Sequence, residues 1–399
     1  MDGSPSGRPD PAALLTVDGH ADPYPIYREL RAAAPVCRVE LPDGRWSWLV
    51  TRHADVVDVL SSDRFASDPA SVDGHRSPGH DVPLGRLLTT TDPPEHTRLR
   101  ATVRRAFTPA AVEALRPRVT ALAEELAAAI EGRGPVDLLT EYAFPLPIVV
   151  VAEMLGLPAE DRDLFREWSR VVIDGDFPMP PEEVERRARV ANEEIVDYLH
   201  GVFAAKRARP DDGLVSDLLG SDLTPDELVG MVWLLLADGY ESVACTIGSG
   251  VVALLRHPDQ LARLRADPSL VGPAVEELLR YECPAATLHR HAVEDVDLDG
   301  CRVAKGDLVT VVLSSANRDE AVFDDPDRLD VGRSGNRHVA FGRGVHFCIG
   351  AALARMECQI GIGTLVRRLP RLRLAVPAEE LTWRPSLILR GLRSLPVEA

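Results

Sequence analysis

Residues 341–357 read Phe-Gly-Arg-Gly-Val-His-Phe-Cys-Ile-Gly-Ala-Ala-Leu-Ala-Arg-Met-Glu, so Cys348 is bracketed by Gly342, Gly344 and Gly350 and followed by a good helical sequence. A helix that begins near Cys348 sets free backbone N–H groups and a positive dipole end beside the sulfur, which favours the thiolate. The glycines let the backbone lie flat against something planar. A thiolate with donors around it and a flat partner is what a haem iron ligand requires. A packed core cysteine in a glycine-rich turn is the plainer reading of the same letters. A second group stands in the stretch Ala237-Asp238-Gly239-Tyr240-Glu241-Ser242-Val243, where two acids and a hydroxyl interrupt an apolar run. Positions 238, 241 and 242 fall within one helical turn and face a common side. Buried carboxylates are costly unless they are paired or do chemistry, so the cluster reads either as proton handling or as a polar contact between helices. His96 and Arg100 are spaced to share one helix face, fit for clamping an anion or for meeting solvent.

The elements that must carry these residues are mostly helical. Periodicity predicts helices over 24–34, 109–130, 181–207 and 273–281, and a final helix from near Cys348 to about Leu369. The clearest start is Thr224-Pro225-Asp226-Glu227, with an N-cap threonine, proline at the first position and a capping-box glutamate. The helix it opens runs past Ser249 and is apolar nearly all round, which predicts burial at the centre of the molecule. A hairpin is expected over 36–50, a strand-rich stretch over 289–313 with Asp299-Gly300 as its turn, and short strands at 372–376 and 387–389. Loops over 66–85 and 174–181, rich in Gly, Pro and Asp, are placed over the site.

Composition narrows the classes. The chain has 399 residues with 45 Lys+Arg against 62 Asp+Glu, a net charge of −17, which argues against nucleic acid and anionic membrane as partners. The six cysteines (37, 245, 283, 301, 348, 358) are scattered with no CxxC pair, so zinc-ribbon and disulfide-scaffold readings fail. Met1-Asp2-Gly3-Ser4 opens no basic, then apolar, leader. The apolar runs 144–152 and 231–237 are too short to span a bilayer, and a cytoplasmic globular enzyme is expected.

The string from Phe341 to Gly350 matches Phe-Gly-x-Gly-x-His-x-Cys-x-Gly, and over roughly residues 22–397 the chain resembles the cytochrome P-450 family. It is most similar to the soluble bacterial members that tailor polyketides and macrolides. The resemblance implies a mainly α fold with a smaller β region, a flexible tail over 1–20 and one domain over 21–399. Haem b would sit between the long central helix and the cysteine loop. It assigns the iron to Cys348, the haem surroundings to Phe341, Gly342 and Gly350, and the propionates to His96, Arg100, Arg290 and His346. Glu277 and Arg280 match the family's Glu-x-x-Arg, with Arg328 as the third, structural member. Glu241 takes the place of the acid, and Ser242 that of the threonine, which together deliver protons to dioxygen. Ser242 lacks the methyl group that restricts threonine, so its relay is looser. Asp238 replaces the usual alanine and Tyr240 a frequent histidine, which opens a role for Asp238 in binding a polar substrate group or water.

Substrate contacts are implied over 66–88, 171–179, 233–243, 284–289 and 386–389. No flavin, nicotinamide or ferredoxin signature is present, so a ferredoxin and its reductase must supply electrons. Arg98, Arg104, Arg105, Arg343 and Arg355 form the expected basic patch for them. A small-molecule substrate, a monomer, and no nucleic-acid or membrane partner complete the expectation. Three functions stay open: hydroxylation or epoxidation of a bulky apolar natural product, oxidative C–C or C–N coupling without oxygen insertion, and a haem-binding sensor or carrier.

Overall fold

A computed structural model describes residues 9–41, 44–72, 87–174 and 181–399. The expected covering loops fall largely in 73–86 and 175–180, and the first residues of the tail and the hairpin turn at 42–43 also lie outside the described residues.

The helix Pro225–Arg256 forms the axis of the molecule. Its capping box is complete: Glu227 N–H donates to the Thr224 hydroxyl at 3.3 Å, and Thr224 N–H to the Glu227 carboxylate at 2.8 Å. By length and composition this helix could cross a membrane, contrary to the run-length expectation, yet 83% of its apolar window is buried inside the protein. It packs on Pro145–Leu155 and on Ala351–Arg368. The first crossing is close because residue 239 is glycine; a Cβ there would stand 2.9 Å from a Val151 methyl. Pro109–Ile130 follows the expected bounds and begins with a Thr108 N-cap and proline at its first turn.

A five-stranded sheet lies to one side, in the order 36–40, 46–50, 308–312, 287–292, 65–66. The pairing of 46–50 with 308–312 is parallel and the others antiparallel. It brings Arg290 opposite Val309 and His289 opposite Thr310. Asp299 and Gly300 adopt positive φ (50° and 77°) and turn the small hairpin between 296–298 and 301–303, as expected. Two terminal strands were overdrawn. The first is only Arg373–Leu374, and 387–389 makes a single bridge, Leu389 to Ala285.

The segment around residue 390 is tied back to residues 20–21. Arg390 donates to Glu282 at 2.7 Å and to the carbonyls of His20 and Ala21 at 2.9 and 3.2 Å. Its guanidinium also stacks on Trp383, 3.8 Å from the ring centre.

Glu277 and Arg280 lie wholly buried on Val271–Tyr281, and Arg280 donates to the Glu277 carboxylate at 2.7 and 2.8 Å. The third member of this cluster is Arg333, not Arg328. Arg333 Nε lies 3.0 Å from Glu277, and the Asn336 amide and Asp330 N–H fill its remaining lone pairs. Arg328 contributes only its backbone carbonyl, while its side chain is 67% exposed beside Asp330. A buried carboxylate facing one arginine needs further donors, and the turn at 330–333 delivers them where 325–328 turns outward.

Candidate active site

Cys348 lies in a turn, with its N–H bonded to the Phe341 carbonyl at 2.9 Å. The helix behind it starts at Ala351 with Gly350 as N-cap, three residues later than the sulfur. Gly344 shapes the turn: its φ is +71°, and a Cβ would meet the Leu60 carbonyl at 2.4 Å. The loop is thereby pressed onto the helix His53–Ser61. Among the described cysteines only Cys348 is exposed, and it lines a cavity of about 320 Å³. Burial and, less strongly, the charge of Asp238 push the thiol's pKa up, while the Gly350 amide and the charges of Arg100 and Arg355 pull it part of the way back.

The cavity wall also holds Asp238, Glu241 and Ser242 of the central helix, Phe341, Gly342 and Gly350 of the loop, and His96, Arg100 and His346. Gly342 has φ +68° and Gly350 leaves 3.9 Å between a Cβ and the sulfur. The basic side chains gather at one end. The His96 and His346 rings lie 4.3 Å apart, and His346 Nε2 is 3.0 Å from the Ser67 hydroxyl. Arg100 donates to the Phe347 carbonyl and buried Arg290 to the His289 carbonyl, each at 2.7 Å, so carbonyl oxygens rather than acids meet their charges. Burial, then the charges of His346 and Arg100, hold the His96 pKa down at about 4. Its Nε2 is buried without a partner among the described residues.

These residues fit a haem. The sulfur opens onto an apolar cavity, and four basic groups with an orphaned donor await two carboxylate arms. Cys348 would hold the iron, and His96, Arg100, Arg290 and His346 the propionates.

Asp92 anchors this end. It accepts from the Ser67 and Asp68 amides at 2.9 Å each and from the Ser71 hydroxyl at 3.2 Å. Burial raises its pKa, but bonding to His346, Ser67, Asp68 and Ser71 outweighs this and sets it at about 2. A folded value below the ordinary one of about 4 means stabilisation that is complete above that pH and fades toward pH 2. Asp92→Asn is expected to cost about 1–3 kcal/mol at pH 7. Denaturant titrations should show the gap from wild type narrowing between pH 5 and 3; a gap constant over that range contradicts the assignment.

Glu241 does not stand alone. Arg384, from the segment after Leu381, reaches it at 2.8 Å, and both side chains are nearly buried. The buried Tyr240 sits beside Glu241 on the helix, its hydroxyl without a hydrogen-bond partner among the described residues. Asp238 has its side chain open to the cavity; desolvation, then repulsion from Glu241, raises its pKa to about 6. Ser242 faces the cavity, and its carbonyl accepts from the Thr246 hydroxyl at 2.7 Å.

Sequence reasoning missed Arg384, Arg333 and Glu357. Glu357 lines the cavity with both oxygens unpartnered among the described residues, and burial pushes its carboxyl well up. Its signal was an acid in the apolar helix nine residues after Cys348. The arginine patch is narrower than expected. Arg98 is paired with Glu227, and Arg355 with Glu276 at 2.7 Å, leaving Arg104, Arg105 and Arg343 exposed. Of the implied substrate contacts, Leu88, Leu234, Leu235, Ala285, Ile388 and Leu389 line the cavity.

Comparison with known proteins identifies the family. The cytochrome P450 family model matches residues 166–372. Cytochrome P450 107B1 of Saccharopolyspora erythraea is 45% identical over 391 residues, covering 94% of this chain and 95% of that protein. The 6-deoxyerythronolide B hydroxylase of the same organism is 39% identical, with 95% and 96% covered. The crystal structure of myxobacterial CYP267B1 with myristic acid superposes with a TM-score of 0.92 at 40% identity, covering 97% of this chain and 99% of that one. The chain therefore belongs to the cytochrome P450 family, as a monooxygenase with haem b for its cofactor and bacterial secondary-metabolism enzymes among its relatives.

Proposed function

We propose that the protein hydroxylates or epoxidises a bulky, largely apolar natural-product intermediate, as a cytoplasmic monomer drawing electrons from a ferredoxin and its reductase. The observation that carries the reading is one cavity whose wall includes Cys348 together with an acid and a hydroxyl from the central helix. The relative named as a hydroxylase of 6-deoxyerythronolide B supports a substrate of macrolide size. Exposed Arg104, Arg105 and Arg343, beside exposed Val345 and Phe347, support docking of an acidic electron carrier on the cysteine side.

When bound, the haem supplies the redox chemistry that splits dioxygen, sends one oxygen atom into a C–H or C=C bond and releases the other as water. The chain's residues arrange the rest. His96, Arg100, Arg290 and His346 hold the carboxylate arms, and the apolar wall excludes water. Ser242 Oγ passes protons toward the oxygen site, with Glu241 as the acid behind it. Arg384 restrains Glu241 as the ionised carboxylate, so Glu241 must leave that ion pair and take up a proton from solvent before it can hand one to Ser242.

Turnover under oxygen-18 with ferredoxin and reductase tests the reaction. A product heavier by one labelled oxygen is expected; a product lighter by two hydrogens would instead identify coupling. Ser242→Ala is expected to lower product formed per electron consumed by about tenfold or more while haem content stays unchanged. An unchanged ratio removes Ser242 from proton delivery.

A further inference from the structure

Among the described residues that line the cavity, Asp238 is the acid that is neither paired with a base nor sunk in the wall. Glu241 is held by Arg384, and Glu357 is sunk in the wall with its carboxyl pushed toward the neutral form. Asp238 has no hydrogen bond or ion pair with any described residue, and its exposed side chain lines the cavity, as do the apolar Leu234 and Leu235 one turn earlier on the same helix. The basic side chains that line the same space, His96, Arg100 and His346, are grouped with Arg290 at the end that takes the propionates. A carboxylate in an apolar cavity is costly unless a partner arrives. With a pKa raised only to about 6, it is largely ionised at neutral pH and presents negative charge to whatever enters.

We propose that Asp238 is the recognition site for a positively charged amino group on the substrate. The inference rests on reading the cavity as the place where substrate is oxidised, and narrows the substrate class to apolar molecules bearing a basic nitrogen. A charge-assisted hydrogen bond to Asp238 anchors the ammonium group and offsets the desolvation of both partners. It also keeps the nitrogen protonated, so that no lone pair is left to ligate iron. Asp238 lies four residues before Ser242, about 6 Å along the helix axis. The carbons near the nitrogen are thereby held close to the group that delivers protons.

The test uses haem-loaded protein at pH 7.5 and three probes sharing one chain: dodecylamine, dodecan-1-ol and dodecanoate. Equilibrium difference spectra are expected to show wild type binding the amine at least tenfold more tightly than the alcohol, with the carboxylate weakest and with a shift toward high spin. In Asp238→Asn the amine preference should vanish and any residual amine signal turn to nitrogen ligation, while alcohol affinity stays within about threefold. Asp238→Glu should keep the preference. The proposal is overturned if wild type binds the amine no better than the alcohol, if none of the probes binds, or if the preference survives in Asp238→Asn. The reduced, CO-bound spectrum of wild type separates the two readings. Absence of the thiolate band strikes the haem-thiolate reading itself, whereas an intact band without amine preference overturns only the role of Asp238.

Discussion

Cys348→Ser is expected to abolish the red-shifted Soret band of the reduced, CO-bound protein together with all turnover. Haem should still enter the cavity. His96 and Arg100 lie on the helix Glu95–Val103 and Arg290 on the strand Thr287–Ala292, apart from the cysteine loop that carries His346, and His346 is also held by the Ser67 hydroxyl. What disappears is the electron-rich ligand, because a serine hydroxyl ionises at far higher pH than a thiol and gives iron a neutral, weak donor. Two other cysteines make exacting controls. Cys358 also lines the cavity, but it is buried in the wall and its thiol is pushed up by burial. Cys245 lies on the central helix, 3.8 Å from Arg384. Serine at either should leave the band in place. Transfer of the loss to Cys358, or survival of the band in Cys348→Ser, would falsify the ligand assignment.

The largest effect on stability is expected at Glu277. Its carboxylate takes Arg280, Arg333, Asn336 and the Asp330 amide at once. Glu277→Ala leaves two guanidinium groups facing an apolar gap and is expected to cost about 3–5 kcal/mol. Arg280 keeps the carbonyls of Asn317 and Pro326, at 2.9 and 2.8 Å, which moves the expected value toward the lower end. Arg333→Ala should follow the same pattern, since only 12% of that side chain is exposed and it also binds the carbonyls of Asp324 and Arg328. Arg328→Ala should cost less than about 0.5 kcal/mol, as ordinary surface substitutions do. Denaturant midpoints of the three variants decide the matter. An Arg328 effect larger than that of Arg333 would reverse the assignment made on geometry.

Arg328 and Arg333 also show where sequence stops being informative. Both stand in an irregular segment with no period to mark an inward face, and both lie more than fifty residues from Glu277. Only the turn, closed by Asp330 and Gly332, aims one of them inward. Arg384 was hidden for the same reason: 143 residues separate it from Glu241, and its neighbours form a single bridge rather than a strand. By contrast, the start and burial of the central helix were legible, because Thr224, Pro225 and Glu227 act locally and its apolar surround has one physical outcome, whereas its end at Arg256 was not. Cys348 was legible because helix start, glycines and sulfur lie within ten residues. The cluster at 238–242 was legible as polar letters in an apolar helix, but not which acid the fold would pair. That choice is made by a residue arriving from elsewhere.

The tie at Arg390 bears on how the protein is made. Arg390 reaches back across 370 residues to His20, and Arg384 a few positions earlier completes the surroundings of Glu241. A ribosome delivers the central helix and the cysteine loop well before these arginines emerge. During that interval the cavity has the Cys348 sulfur but not the restraint on Glu241, nor the clasp between Arg390 and residues 20 and 21. Domains assemble as their segments become available, and contacts of such long sequence separation form late. Nascent chains stopped before residue 384 are therefore expected to be open to proteases at the cavity, and chains extended past Arg390 to gain resistance.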